Sequence, residues 1–225
     1  MPVKNDILKY VTPKVFYKDL TKMFRLIISF LNREKIKYFL TQGTLLGYHK
    51  YGIIMPWEVD IDIMIVNVSA EKFNTDRFAN FIEKNHLHKR KLRNTGIIQI
   101  CYELNKGDKC KLPTIDLSFI EEKNHIYCRA PWCYAKPPDR YYADRLDINE
   151  IFPLKKGKLN GLTVYAPNET KKILSKMYPD FENNITLIGF YDDKWIWEKK
   201  IVSPDSEEFE ILNKILDRYK RRRKP

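Results

Sequence analysis

Long apolar runs are missing from this chain. The best candidate for a membrane span, Phe24 to Leu31, is short and is broken by Arg25 and Ser29. The start, Met1 to Lys9, lacks a secretory hydrophobic region, so a complete chain of this kind is expected to be cytoplasmic, although a domain cut from a membrane-anchored protein would read the same. Cysteine is also scarce. Cys101, Cys110, Cys128 and Cys133 include no C-x-x-C pair, which argues against a zinc finger and leaves only an irregular set of Cys110, Cys128 and Cys133 with Cys101 or His125. In a cytosolic chain all four are expected as reduced thiols. No internal repeat is found, which excludes a solenoid.

What is present describes a folded protein. The 225 residues are 44% apolar and 13% aromatic, enough apolar surface to offset the entropy of ordering a core. The organisation expected is an N-terminal extension over 1–14, a catalytic domain over 15–180 and a helical appendage over 181–225. A formal net charge of +12 draws anionic partners of any class. Part of that excess lies in Arg218, Lys220, Arg221, Arg222, Arg223 and Lys224, read as a solvated basic tail.

Helical spacing of Phe16, Leu20, Met23, Phe24, Ile27 and Leu31 predicts an amphipathic helix over Lys14 to Lys35. A short strand, Lys37 to Leu40, a short helix, Thr44 to His49, and a strand, Asp60 to Val66, follow. Ser69 is expected to cap a helix carrying Phe73, Phe78, Phe81 and Ile82, with His86 to Arg93 as a basic connection. Strands are expected over Gly96 to Leu104, Pro113 to Ile120 and His125 to Cys128, an irregular loop over Pro131 to Asp139, and a small hairpin near Leu159 to Tyr165. Helices through Lys171 to Met177, capped by Asn168, and over Glu207 to Lys220 close the chain. The class is α+β, a mixed α/β sheet with flanking helices.

Three acids carry the chemistry. Asp60 and Asp62 are two apart in one predicted strand and share a face, and Met64 and Val66 continue that face into the core. Carboxylates at the lip of a core need a positive partner, and Mg²⁺ or Mn²⁺ suits carboxylate oxygens while leaving room for phosphate. Asp116, between Ile115 and Leu117, adds a third acid from another strand. Such a set can stabilise displacement at phosphorus and take the proton of an attacking hydroxyl. The bland alternative is exposed acids paired with the many Lys and Arg residues. Gly43 and Thr44 lie where a strand enters a short helix, a place where backbone amides and a hydroxyl can face a phosphate; a tight turn is the bland reading there.

The run Thr41 to Met64, TQGTLLGYHKYGIIMPWEVDIDIM, closely resembles the signature of the LicD and fukutin group of the nucleotidyltransferase superfamily. Ile151 to Leu154, Gly161, Pro167 and the helix ending at Met177 and Tyr178 look like its later block. The resemblance implies a nucleotidyltransferase-like core, phosphate binding by Gly43 and Thr44, metal binding by Asp60 and Asp62, and a third acid at Asp116. Lys50 stands where the group has Arg, Glu58 and Val59 where it has two Asp, and Pro179 where it has Gly; Lys50 is carried over as a phosphate contact. The implied reaction moves a phosphorylated alcohol, phosphocholine- or ribitol-phosphate-like, from a CDP-linked donor to a sugar hydroxyl of a glycan. The wider superfamily instead transfers the nucleotidyl group of an NTP to a small molecule, RNA or protein. A third reading is a decayed, basic nucleic-acid-binding module.

Secondary candidates surround this set. Gln42 precedes the glycine, His49 lies between loop and acids, Trp57 is placed to stack on a base or to anchor the loop, and Glu58 extends the acidic row. Arg140 and Arg145, beside Trp132, Tyr134, Tyr141 and Tyr142, form a basic aromatic stretch suited to a sugar. Trp195 and Trp197 are expected to fasten the last helix.

Overall fold

A computed structural model describes residues 7–68, 70–92, 96–123, 126–129, 145–178, 180–191 and 194–221. After a short 3₁₀ turn at Ile7–Tyr10, helix α1 spans Lys14–Arg33 and buries Leu20, Met23, Phe24, Ile27 and Leu31, the stripe its spacing predicts. The chain then enters β1 (Tyr38–Leu40), helix α2 (Gln42–Tyr51) and β2 (Asp60–Val66). Helix α3 (Asp76–Lys84), β3 (His88–Leu92), β4 (Ile97–Cys101) and β5 (Thr114–Lys123) complete the first half.

These strands build a seven-stranded sheet in the order β1-β2-β5-β4-β3, with β6 (Ile126–Arg129) on β5 and β7 (Arg145–Asp147) on β6. Only β2 and β5 run parallel; the other neighbours are antiparallel. One face carries Ile61, Ile63, Ile65, Ile115, Leu117 and Phe119, all buried. Phe73 packs on Phe119 and Phe78 on Phe30, at ring-centroid distances of 5.2 Å each, which places α1 and α3 on that face. The opposite face holds Asp62 and Asp116.

The second half wraps the acidic end. A one-turn helix α4 (Ile148–Ile151) opens with a capping box between Asp147 and Glu150. Burial alone would raise the Glu150 carboxyl, but hydrogen bonds from Lys176, Lys172 and the Asp147 amide outweigh it and hold it below its usual value. The hairpin β8 (Lys155–Leu159) and β9 (Leu162–Ala166) turns on Asn160 and Gly161, both at positive φ, 52° and 77°. Its tip docks on the loop after α2, where Asn160 Oδ1 accepts from the Ile54 amide at 2.8 Å. Helix α5 (Thr170–Met177) follows, then a hairpin, β10 (Ile185–Tyr191) and β11 (Lys194–Val202), and helix α6 (Glu207–Arg221).

Four expectations change. The basic run after His86 is an edge strand, because its five consecutive residues pair with β4 from His88↔Cys101 to Leu92↔Ile97. The cap of α3 is Thr75, whose hydroxyl accepts from the Phe78 amide at 3.4 Å, with a separate 3₁₀ turn at Ala70–Asn74 before it; Ser69 lies outside the described residues. Asn168 does not cap α5, since its amide donates to the Asn149 carbonyl at 3.1 Å. Ile185–Tyr191 and Lys194–Val202 pair as antiparallel strands where only helix was expected, and Tyr219 of α6 packs edge-on against Tyr17 of α1 at 4.6 Å. The loop Pro131 to Asp139 and the side chains of Trp195 and Trp197 lie outside the described residues.

The expectation of reduced thiols is also corrected. Cys101 and Cys110 form a disulfide, with Cα atoms 5.6 Å apart, because a tight loop returns Cys110 to the end of β4 beside a Leu104↔Cys110 bridge. A zinc site using both of these sulfurs is thereby removed. A non-reduced digest is expected to yield the peptides carrying Cys101 and Cys110 as one crosslinked species. Cys110→Ser is expected to lower unfolding free energy by about 2–3 kcal/mol. Recovery of the two peptides separately, each alkylated, would count against the bond.

Candidate active site

The acids converge because of the sheet register. In the parallel pair, Asp62 stands beside Asp116 and Asp60 beside Thr114, so all of these side chains share a face at roughly one strand spacing, about 4.8 Å. Asp60, Asp62 and Asp116 are each partly exposed, while Ile61, Ile63, Ile115 and Leu117 between them are buried. Gln99 sits opposite Asp116 on β4, and its side-chain amide lies 3.5 Å from Asp116 Oδ2.

Glu58 joins the cluster. Its carboxylate lies against the Cα of Gly43, where a methyl group would meet Oε1 at 2.8 Å and Oε2 at 2.9 Å. Gly43 is therefore glycine so that the loop can admit this carboxylate. Burial drives the Glu58 carboxyl up, and the nearby Asp60 charge adds to the rise; burial likewise lifts Asp60, with a backbone hydrogen bond partly offsetting it. Among the described residues no Lys or Arg forms an ion pair with either.

Other candidates are placed with equal definition. Gln42, at φ 48°, begins α2 in the left-handed region, a strained backbone that turns Gly43 toward Glu58. The Thr44 hydroxyl is buried and accepts from the Asp62 amide at 2.9 Å, so it ties α2 to β2 at the level of the acids. The neighbouring Thr41 hydroxyl is buried without a hydrogen-bond partner among the described residues. Lys50 points elsewhere: its ammonium donates to the carbonyls of Phe181 at 2.6 Å and Asn184 at 2.9 Å. Burial lowers its pKa, against the pull of Glu182 and Asp180.

His49 faces Glu182 at 3.7 Å and the Phe181 ring at 5.7 Å. Trp57 is buried with its ring edge-on to Tyr51 at 6.2 Å, the anchoring alternative for that residue. Arg140 lies outside the described residues; Arg145 pairs through its backbone with Cys128, and its side chain is outside them. The sequence marks Tyr178, just past α5, only as the end of the later motif block and gives it no place among the acids. Its hydroxyl is held well above the usual tyrosine range by burial first and then by the charges of Glu58, Asp62 and Asp60. It stays a neutral hydrogen-bond donor beside these three acids. Its motif gives no sign of that role, because only the packing of α5 on α2 brings it there.

Glu58, Asp60, Asp62 and Asp116 supply hard oxygen donors, and the desolvated, mutually repelling Glu58 and Asp60 fit a divalent cation. No three His, Cys, Asp or Glu side chains among the described residues yet close around one point, so a cation would have to draw them inward.

The fold and site define a chain with a mixed sheet and a paired-acid centre beside a glycine loop, and comparison with known families agrees. A profile of the LicD/FKTN/FKRP nucleotidyltransferase domain matches residues 35–169, and the chain belongs to this family. Members of it generally transfer phosphocholine- or phosphoribitol-type groups. An uncharacterised protein of Rickettsia prowazekii is 26% identical over 153 residues, covering 68% of this chain and 51% of the relative. A second, from Rickettsia typhi, is 26% identical over 152 residues, covering 68% and 43%. The chain thus spans about half the length of the curated relatives it matches.

Two tests follow from this geometry. A carboxyl with raised folded pKa binds protons more readily folded than unfolded, so its contribution is most favourable in acid and is lost as pH rises through the folded value. Asp60→Asn is therefore expected to raise Tm by roughly 2–4 °C at neutral pH in chelator, with the gain vanishing below the ordinary carboxylate range. A gain independent of pH would contradict the cluster electrostatics. In the glycine pair, Gly47→Ala would place Cβ 2.7 Å from the Ile53 carbonyl, a backbone atom, and should cost about 1–3 kcal/mol. Gly43→Ala displaces only the flexible end of Glu58, and is expected to spare Tm while weakening stabilisation by Mn²⁺.

Proposed function

We propose that this chain is a divalent-metal-dependent transferase that moves a phosphorylated alcohol from a CDP-linked donor to a sugar hydroxyl. The observation that carries it is the pairing of Asp62 with Asp116 across the parallel strands, with Asp60 and Glu58 on the same lip. Family membership supplies the reaction class. A bound Mg²⁺ or Mn²⁺ would supply charge neutralisation for phosphate oxygens in line for displacement.

The chain's own residues supply the rest. Asp60, Asp62 and Asp116 would hold the cation, and Glu58 in its ionised form, whose proton affinity burial raises, is suited to receive the proton of the acceptor hydroxyl. Tyr178 donates from the α5 side to an oxygen that gains charge. Thr44 fixes the Asp62 backbone, and Gln99 orients Asp116. The buried carboxyls of Glu58 and Asp60, whose ionisation burial makes costly and a divalent cation would favour, support this reading over a decayed nucleic-acid-binding module, which would have no use for such a cluster.

The test is incubation with CDP-choline, CDP-ribitol or nucleoside triphosphates, in Mn²⁺, with the leaving nucleotide identified by mass spectrometry. Cytidine monophosphate is expected. Pyrophosphate released from a triphosphate would move the assignment to nucleotidyl transfer. Asp62→Asn and Asp116→Asn are each expected to cut turnover by about 10³-fold or more while the folded circular dichroism spectrum is kept. Turnover unchanged by either substitution would overturn the proposal.

A further inference from the structure

The polar face extends beyond the carboxylates. Paired residues of neighbouring strands project to the same side of a sheet. From β2 outward, Asp62 stands beside Asp116, Asp116 opposite Gln99, and Gln99 opposite Arg90. The four form one row across β2, β5, β4 and β3, acidic at the inner end and cationic at the sheet edge. The next row toward the core is Met64, Ser118, Ile97 and Leu92, so the polar strip ends there.

Arg90 is half-buried, and its guanidinium has no hydrogen bond or ion pair among the described residues. A cavity of about 500 Å³ opens at this end of the row, lined by Arg90, Gln99, Tyr102 and Lys109 together with two carboxylates, Asp19 and Glu103, the latter paired with Lys111 at 3.2 Å. The loop that walls it is closed by the Cys101–Cys110 bond. The Tyr102 hydroxyl on that wall is buried without a hydrogen-bond partner among the described residues. A forked cation, a hydroxyl with unused bonding capacity and a fixed wall together describe a seat for an oxyanion.

We propose that this cavity binds an oxyanion carried by the acceptor sugar, a phosphate or a carboxylate, with Arg90 as its principal ligand. The inference rests on the transferase reading above. Arg90 stands two strands from Asp116, about 10 Å between Cα atoms, and Gln99 occupies the interval. The phosphates of a donor diphosphate share a bridging oxygen and stay together at the carboxylates. An anion held two strands away therefore belongs to the other reactant. Glucose 6-phosphate and glucuronate report the two sources of the charge, and glucose is the uncharged reference.

Calorimetric titration of the wild type, Arg90→Ala and Arg90→Lys with these three sugars and with CDP-choline, all in Mn²⁺, tests the assignment. The wild type is expected to bind a charged sugar about tenfold more tightly than glucose, and Arg90→Ala to lose that advantage, with Arg90→Lys in between. Preference for glucose 6-phosphate identifies a phosphate, and preference for glucuronate a carboxylate. CDP-choline affinity should be unchanged in both variants, which also shows that the site is folded. Equal weakening of CDP-choline and the charged sugars would assign Arg90 to the donor and overturn the proposal, as would a wild type that binds charged sugars no better than glucose. Charged-sugar binding that depends on Arg90 without any CDP-choline binding would uphold the cavity and sink the donor reading.

Discussion

The parallel contact between β2 and β5 is the constraint on which the rest depends. In an otherwise antiparallel sheet it aligns the N-terminal ends of two strands, and those ends carry Asp62 and Asp116 at the same level. Carboxylates side by side repel, so the alignment survives only because the buried row just beyond, Ile63, Met64, Ile65 and Val66 against Leu117, Ser118, Phe119 and Ile120, fixes the register. A slip of one residue would turn that whole set out of the core. The core thus enforces an arrangement that electrostatics alone would disperse.

Around that alignment the chain is shaped to admit acid. Gly43 leaves room for Glu58, Gln42 accepts a left-handed backbone to turn the loop, and Thr44 holds the Asp62 amide. Each feature trades local ease for a concentrated negative pocket, the pattern expected where a protein gives up stability for binding. The cationic end of the same face, on edge strand β3, gives the pocket a polarity along the sheet.

Much of this was readable in the chain. The alternation of Asp60 to Val66 named its strand with both boundaries, and the apolar stripe of α1 and the Asn160-Gly161 turn were equally plain, since each rests on a local period or a local φ requirement. The seat of Arg90 was hidden because four polar residues in a row, His88 to Lys91, carry no alternation; only pairing with Ile97 to Cys101 makes them a strand. Tyr178 and the true partners of Lys50 depend on tertiary approach over more than a hundred residues, for which one sequence holds no sign. The cysteines misled because their reading rested on an expected compartment, whereas the bond follows from a short return loop.

Lys50 bears on where the working unit ends. It stands on the helix that begins with the glycine loop, yet both of its carbonyl partners, Phe181 and Asn184, come after the last residue of the matched family region, 169. Tyr178 also lies past that boundary. A fragment trimmed to the homologous segment would strand a desolvated ammonium and remove a hydroxyl from the acids. The smallest self-sufficient piece of this chain is therefore larger than the part by which its kinship is recognised.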